Sequence, residues 1–592
     1  MTWERPVPVV GDVSAASQRA ADPSGWAFPT SDRAAAYAVI EARRDVRRFR
    51  PDPVPDDVLR RVLGAAHVAP SVGHSQPWRF IVVRDPDIRT RAGLLADRER
   101  LRQAAQLEPD AARRLKDLKL EGLREAPIGV VVCCDRRTPA AGVLGRATFA
   151  DADMWSCAAA IENLWLAARA EGLGLGWVTL FQPDDIAALM HLPAGVVTLG
   201  WLCLGWPDER PPEPGLQRAG WSSRLPLDDV VFADRWPAVD ATARPPSHLR
   251  GPDADALVAA RDEGDRLLTP PGSLGVLDRA VERIVAVRGA GTSTGTLILA
   301  AADHPVAGLG VSAFAPDVTA QVFAAAETGV ALGVTAATGA GLAVELVDAG
   351  VDPSALALVR AGLTDTALGP NRTTLPAARH RGDLAYADAM SEADAERFVD
   401  AGRAIGRAAG ERGLVALGEI GIGNTTVAAC LAAALTGIDA TDAVGLGAGA
   451  DRAMLDRKRD IVEMAVRRWR SAGDSDAARP IRTLAMLGGP EIAVLTGVVL
   501  GATDAGTVTV LDGLATSVAA FLAVKIEPAV ADHLVAGQRS RERAHGRVLT
   551  DLGCEPLLDL RIRSGEGVGA ALATGLLLQT LAMRRRTARV AY

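Results

Sequence analysis

The spacing of apolar residues gives the first outline of this chain. Helical periodicity over Ala34 to Arg44 and Asp56 to Ala66 predicts two amphipathic helices, followed by strands ending at Val83 and covering Ile128 to Cys134. Beyond Asp253 the pattern becomes strands alternating with helices. Leu277 to Val287 is predicted helical, Leu297 to Ala302, Leu356 to Val359, Thr483 to Leu487 and Val508 to Asp512 are predicted strands, and Ala570 to Met583 is a closing helix. Such alternation predicts a parallel sheet with ligands at the strands' carboxyl ends.

One stretch joins a carboxylate to a glycine-rich turn: Gly418-Glu419-Ile420-Gly421-Ile422-Gly423-Asn424-Thr425-Thr426, which opens the apolar helix Val427 to Leu435. Gly421 and Gly423 let the backbone approach a ligand, and Asn424, Thr425 and Thr426 supply a cap and extra donors. The helix N-terminus would then aim its amides at an anion such as phosphate, with Gly437 as the stop. No Gly-Lys-Ser/Thr follows, so this is not a Walker loop.

Composition divides the chain. At 592 residues it exceeds one ordinary core. Ten of the eleven tryptophans lie at or before Trp236, which separates two differently built modules. The expected division is 1–235, a linker 236–253 carrying Pro237, Pro245, Pro246 and Pro252, and 254–592. A flexible linker of this length spans on the order of 25 Å. A net charge of -7 argues against a nucleic-acid surface. Six cysteines without metal-ligand spacing suit buried thiols in a reducing compartment, and no metal is expected. Met1 to Val10 lacks the apolar run of a signal peptide, and no apolar stretch is expected to reach the ~18 residues of a membrane span. The expected location is the cytoplasm.

In the first module, Arg43-Arg44-Asp45-Val46-Arg47-Arg48-Phe49 offers guanidinium groups to a ligand phosphate, although a solvated face has the same composition. The loop Pro70-Ser71-Val72-Gly73-His74-Ser75-Gln76-Pro77-Trp78 stands between helix and strand, where ligand-binding loops usually sit. Together these segments resemble the FMN-binding nitroreductase fold. Asp45 in place of the usual serine, Leu118 to Pro127, Glu162 to Gly172, and Gly174-Leu175-Gly176-Trp177-Val178-Thr179 are similar to the 5,6-dimethylbenzimidazole synthases within it, over about residues 30 to 230. The resemblance implies that reduced FMN is a substrate held by Arg43, Arg44 and Arg47, with Ser71 and Gly176 near the flavin. Dioxygen is consumed and the isoalloxazine is cut apart to 5,6-dimethylbenzimidazole. It also implies an acid at Asp45 that moves protons, a hydroxyl at Thr179 where the family has serine, a homodimer, and a separate flavin reductase. His74 departs from the wider family's asparagine.

The second module resembles nicotinate-nucleotide:dimethylbenzimidazole phosphoribosyltransferases over nearly all of residues 255 to 585. The resemblance rests on Pro270 to Gly275, Gly310 to Phe314, Val318 to Gln321, the nonamer, Val510 to Gly513, Glu555 to Leu560 and Ser564 to Leu572. Transfer of phosphoribose to an azole needs an anion site, a base for the N–H proton and walls that exclude water. Glu566, between Gly565 and Gly567, suits the base, because desolvation would raise its proton affinity; its place at a helix N-terminus is also a stabilising position. Glu419 is the second acid, near the ribose, and Gly421, Gly423, Asn424, Thr425 and Thr426 would hold phosphate. Ser312, Phe314 and Gln321 are candidates for the benzimidazole wall, with plain packing the other reading of Phe314. Three departures bear on azole preference: Pro305 follows Asp303-His304 where glycine is common, Gln538 stands where histidine is usual, and Glu327-Thr328 replaces paired glycines.

The expected fold is therefore α/β, an α+β nitroreductase-like domain followed by an α/β domain with a mainly parallel sheet. The expected function is synthesis of the lower base of cobalamin and its activation as α-ribazole 5'-phosphate from nicotinate mononucleotide. The alternative reading couples the transferase to a non-destructive flavin sensor or an ordinary nitroreductase.

Overall fold

The structure is a computed structural model. It describes all residues except 1–17, 19–20, 23, 109–110, 113–114, 117–121, 220, 237–250, 362–368, 446, 448–450, 473–478 and 591–592. Most of the linker, the N-terminal decapeptide and Leu118 to Glu121 therefore lie outside the described residues. By internal contacts the described residues fall into two units, one within Trp26–Thr242 and one within Ala243–Tyr592.

The first unit is built on a four-stranded antiparallel sheet of order β1-β2-β4-β3, with β1 Trp78–Val83, β2 Ile128–Asp135, β3 Gly174–Val178 and β4 Val196–Gly205. The near-continuous apolar run of β2 reflects burial on both faces. Ile128, Val130, Val132 and Cys134 meet Leu59 and Val62 of helix Asp56–His67 and Ile161 and Leu164 of helix Ala152–Ala170. Val131 and Cys133 point the other way, toward Ala92 and Ala96 of helix Pro86–Ala104. All six cysteines are free, and five are buried.

The second unit carries a six-stranded sheet, parallel throughout, of order β10-β9-β8-β5-β6-β7. The strands are β5 Gly295–Ala302, β6 Ala343–Gly350, β7 Asn371–Thr374, β8 Leu414–Ile420, β9 Thr509–Leu511 and β10 Leu534–Ala536. Two predicted strands are helices instead. Leu356 to Val359 belongs to helix Pro353–Ala361 and Thr483 to Leu487 to helix Pro480–Leu487. In each the proline opens the first turn, where it costs no hydrogen bond.

The expectation about membrane spans also needs correction. Val318–Gly339, 22 residues, is long and apolar enough by length and composition alone. It is broken at Gly329, whose φ is 82°, into helices Val318–Glu327 and Leu332–Gly339, which bury Phe323 and Val334 against the sheet's Leu299 and Leu346.

On the opposite face, helices Glu392–Arg412 and Pro490–Asp504 pack closely at reciprocal glycines. A Cβ on Gly402 would lie 2.0 Å from Val494 O, on Gly406 2.1 Å from Val498 O, on Gly497 2.0 Å from Val399 O, and on Gly501 1.9 Å from Arg403 O. Arg403 closes the contact with two hydrogen bonds to Asp504, at 2.6 and 2.8 Å.

Candidate active sites

In the first unit, Val46 N donates to Leu175 O at 2.9 Å, so the arginine-rich segment lies along β3. Gly176 permits this approach, since a Cβ there would sit 2.3 Å from Val46 O. Asp45 Oδ1 accepts from Trp177 N at 3.1 Å, and Asp45 Oδ2 is ion-paired with Arg47. Burial raises the proton affinity of Asp45, and the neighbouring guanidinium of Arg47 opposes that rise. Arg47 turns inward and donates to Trp177 O at 3.0 Å, while its Nε and Nη1 are buried without a partner among the described residues. Arg44 donates to carbonyls of Glu41, Arg43 and Pro212 and leaves Nε similarly unpaired. Arg43 lies 4.6 Å over the Trp165 ring. Thr179 is exposed just beyond β3.

Ser71 Oγ accepts from Gln76 N at 3.1 Å across a loop in which Gly73, His74 and Gln76 all have positive φ. Left-handed backbone at two residues with side chains is costly, and such strain concentrates where ligands are held.

In the second unit, the nonamer connects β8 to helix Asn424–Thr436. Glu419 sits near the carboxyl end of β8. The helix cap differs from expectation: Gly423, at φ 96°, occupies the cap position with no side-chain cap bond, and Asn424 Nδ2 instead donates to Glu419 Oε2. Thr425 Oγ1 accepts from Lys458 Nζ at 3.4 Å, and Thr426 Oγ1 is buried without a partner among the described residues. Lys458 is buried, and desolvation lowers its proton affinity against the pull of Glu542.

Glu566 comes to the same place from the far end of the chain. Its N–H donates to Glu419 O at 3.2 Å, and its Oε2 accepts from Gly333 N at 3.0 Å. Gly565 and Gly418 leave room for this, because Cβ atoms there would lie 3.1 Å from Glu419 Oε1 and 2.7 Å from Gly567 N. Burial, then the charges of Glu491 and Asp512, raise the proton affinity of Glu419 well above the carboxylate range; Asn424 opposes them, and Glu566 adds to the rise. Beneath the turn, His304 Nε2 lies 2.9 Å from Glu491 Oε1, both side chains buried. Lys458, His304, Glu491 and Asp512 were not among the residues singled out for chemistry from the sequence.

The azole-wall candidates lie on segments tied to this site: Ile422 N donates to Thr319 Oγ1 at 3.1 Å and Arg457 Nε to Gly310 O at 3.0 Å. Ser312 Oγ accepts from Phe314 N at 3.1 Å, Phe314 is 48% exposed, and Gln321 Nε2 donates to Asp317 Oδ2 at 3.0 Å. A cavity of about 600 Å³ opens at the carboxyl ends of β5 and β6, lined by His304, Pro305, Pro316, Val351 and Arg381 among others. Pro305 thus forms wall where a glycine would leave a free N–H.

Comparison with known proteins places each module. A family model described as Phosphoribosyltransferase matches residues 249–591, and one described as Nitroreductase family matches residues 40–206. The 5,6-dimethylbenzimidazole synthase of Rhodospirillum rubrum is 44% identical over 205 residues, which are 34% of this chain and 96% of that protein. The nicotinate-nucleotide–dimethylbenzimidazole phosphoribosyltransferase of Dechloromonas aromatica is 36% identical over 332 residues, 54% of this chain and 90% of that one. The crystal structure of CobT from Thermus thermophilus superposes with a TM-score of 0.50 at 36% identity, covering 57% of this chain and 97% of its own. Both modules match enzymes. The chain belongs to two families at once, joining a nitroreductase-family module of the dimethylbenzimidazole synthase kind to a nicotinate-nucleotide–dimethylbenzimidazole phosphoribosyltransferase.

Proposed function

We propose that this chain makes 5,6-dimethylbenzimidazole from reduced FMN and dioxygen in its first module and attaches phosphoribose to that base in its second, working in the cytoplasm. The reading of the second module is carried by one observation: Glu419 and Glu566, 147 positions apart, meet across a 3.2 Å backbone bond at a glycine-lined turn that opens a helix. The first amides of helix Asn424–Thr436, with Lys458, receive the 5'-phosphate of nicotinate mononucleotide. Glu419, held by Asn424, faces the ribose. Glu566 takes the N–H proton as the azole nitrogen bonds to C1' and the bond to nicotinate breaks, releasing nicotinate and α-ribazole 5'-phosphate.

In the first module the unpaired donors of Arg44 and Arg47 suit the phosphate and carbonyl oxygens of FMN. The flavin ring, once bound and reduced, supplies the electrons for oxygen chemistry and the carbon skeleton of the product. Asp45 holds or moves a proton beside it, and Ser71 lies on the loop that closes over it. Trp26, Phe28, Tyr37 and Ile40 leave an exposed apolar surface that a second copy of the chain would cover. A separate flavin reductase would supply reduced FMN.

Arg47→Ala is expected to weaken FMN binding, since a charge-assisted contact contributes roughly 1.5–3 kcal/mol. Titration of flavin fluorescence measures the loss, and unchanged affinity would remove Arg47 from the site. The overall reading is tested by mass spectrometry after mixing the protein with reduced FMN, oxygen and nicotinate mononucleotide. α-Ribazole 5'-phosphate formed without added base is the expected result. FMN recovered intact would favour a flavin sensor, and FMN intact with turnover of an added electron acceptor would favour an ordinary nitroreductase.

Dimethylbenzimidazole is small and neutral, so it is expected to leave the first site and reach the second through solution. Excess isotopically labelled base added to the coupled reaction should therefore label the product in proportion to the external pool. Product that stays unlabelled would establish direct transfer instead.

A further inference from the structure

Asp512 follows β9 and is buried. Its N–H donates to Thr516 Oγ1 at 2.9 Å, which fixes the turn after the strand. Its Oδ1 accepts from Ala570 N at 3.1 Å and from Gln538 Nε2 at 2.9 Å, and the backbone amides of Gly569 and Gly567 lie close enough to favour its charged form. The carboxylate thus sits on the opening amides of helix Val568–Arg586, where unpaired donors and the helix dipole favour an anion. Burial pushes Asp512 up to about 7, with the amides and Gln538 pulling down.

The residue just ahead of those amides is Glu566. Glu566 and Gly567 both adopt positive φ, 61° and 73°, a conformation that a side chain resists and that persists only where its surroundings impose it. Besides the Glu566 N–H bond to Glu419 O and the Gly333 N–H bond to its Oε2, two contacts hold it here. β8 presses on the pair at Gly418, where a Cβ would meet Glu566 C at 2.8 Å and Gly567 N at 2.7 Å, and Asp512 holds the Ala570 amide that follows. Gln538 makes the second contact permanent. Its Nε2 donates to Asp512, its Oε1 is buried without a partner among the described residues, and Gly569 packs so closely that a Cβ there would lie 2.3 Å from Gln538 Cδ. A glutamine amide cannot exchange its role with changing pH, so it orients the carboxylate as a fixed donor.

We propose that Asp512, steadied by Gln538, is the positioning residue of Glu566, anchoring the start of the last helix so that the left-handed Glu566–Gly567 pair stays formed and the Glu566 carboxyl keeps its place on Gly333 N beside Glu419. This rests on the reading of Glu566 as the base. Asn at 512 would set an NH₂ group in place of one carboxylate oxygen at the opening amides of the helix, and the aim of Glu566 would relax.

The test is a double-mutant cycle on the full chain, with kcat and KM for nicotinate mononucleotide measured at saturating added dimethylbenzimidazole. Asp512→Asn is expected to lose about 10–100-fold in kcat with KM changed by less than about 3-fold, and the double variant with Glu566→Gln to be no slower than Glu566→Gln alone, because residues acting as one unit are not additive. Losses that multiply in the double variant, or a loss confined to KM, would overturn the proposal. A normal Asp512→Asn beside an inactive Glu566→Gln defeats only this inference, whereas an active Glu566→Gln defeats the reading beneath it. If Asp512→Asn shows no cooperative thermal transition, Gln538→Leu decides: a fall in kcat at unchanged KM supports the proposal, and an unaltered kcat overturns it.

Discussion

Glu566→Gln is expected to slow phosphoribosyl transfer by about 10²–10⁴-fold, the usual contribution of a general base. The substitution keeps the side chain's size and its ability to accept from Gly333 N, so the strained backbone at φ 61° and the packing against β8 should survive. What is lost is the only function that glutamine cannot supply, acceptance of a proton as the azole attacks C1'. Affinity for nicotinate mononucleotide, measured by calorimetry, should change little, because the phosphate turn and Lys458 are untouched. Near-normal transfer with added dimethylbenzimidazole would transfer the role to another group, with Glu419 first in line.

The second large effect is expected at Asp45. Asp45→Asn should still bind reduced FMN but form dimethylbenzimidazole about 10²–10⁴-fold more slowly, again the range of a lost proton carrier. Asparagine can go on accepting from Trp177 N through Oδ1, so the segment should stay seated on β3. Its amide cannot pair with Arg47 as a carboxylate does, so binding is to be measured alongside turnover. Flavin titration that matches the parent protein, with base formation nearly abolished, is the expected pair of results. Dimethylbenzimidazole made at the parent rate would end the acid–base role of Asp45.

How far the sequence carried these sites depends on how local each signal is. The strand–turn–helix at Glu419 was legible because its glycines, its acid and its apolar helix are consecutive. Even there the side-chain roles were not: Asn424 was expected as a cap, yet the left-handed Gly423 takes that place and frees Asn424 for Glu419. Lys458 gave no signal. It lies in a charged helix, Arg452–Ser471, among arginines and aspartates, and only burial distinguishes it from them. His304 and Glu491 are distant in sequence and become a pair only through the fold. The misread runs at Leu356 and Thr483 show the limit of periodicity, since four or five apolar residues fit a buried strand and a buried helix face equally. The prolines at 353 and 480 were the deciding marks.

The reciprocal glycines between helices Glu392–Arg412 and Pro490–Asp504 bear on how this protein can be altered by evolution or by design. Exchanging an exposed helical glycine for alanine is a standard stabilising change, because it restricts the unfolded chain. Here the recipe inverts. Each added methyl would lie about 2 Å from a carbonyl oxygen of the opposite helix, and the wedge would act on the helix whose first turn carries Glu491 beneath the glycine turn. A library built on helix propensity alone would therefore score its worst failures at these four positions and report them as lost activity, though all four lie buried between two helices.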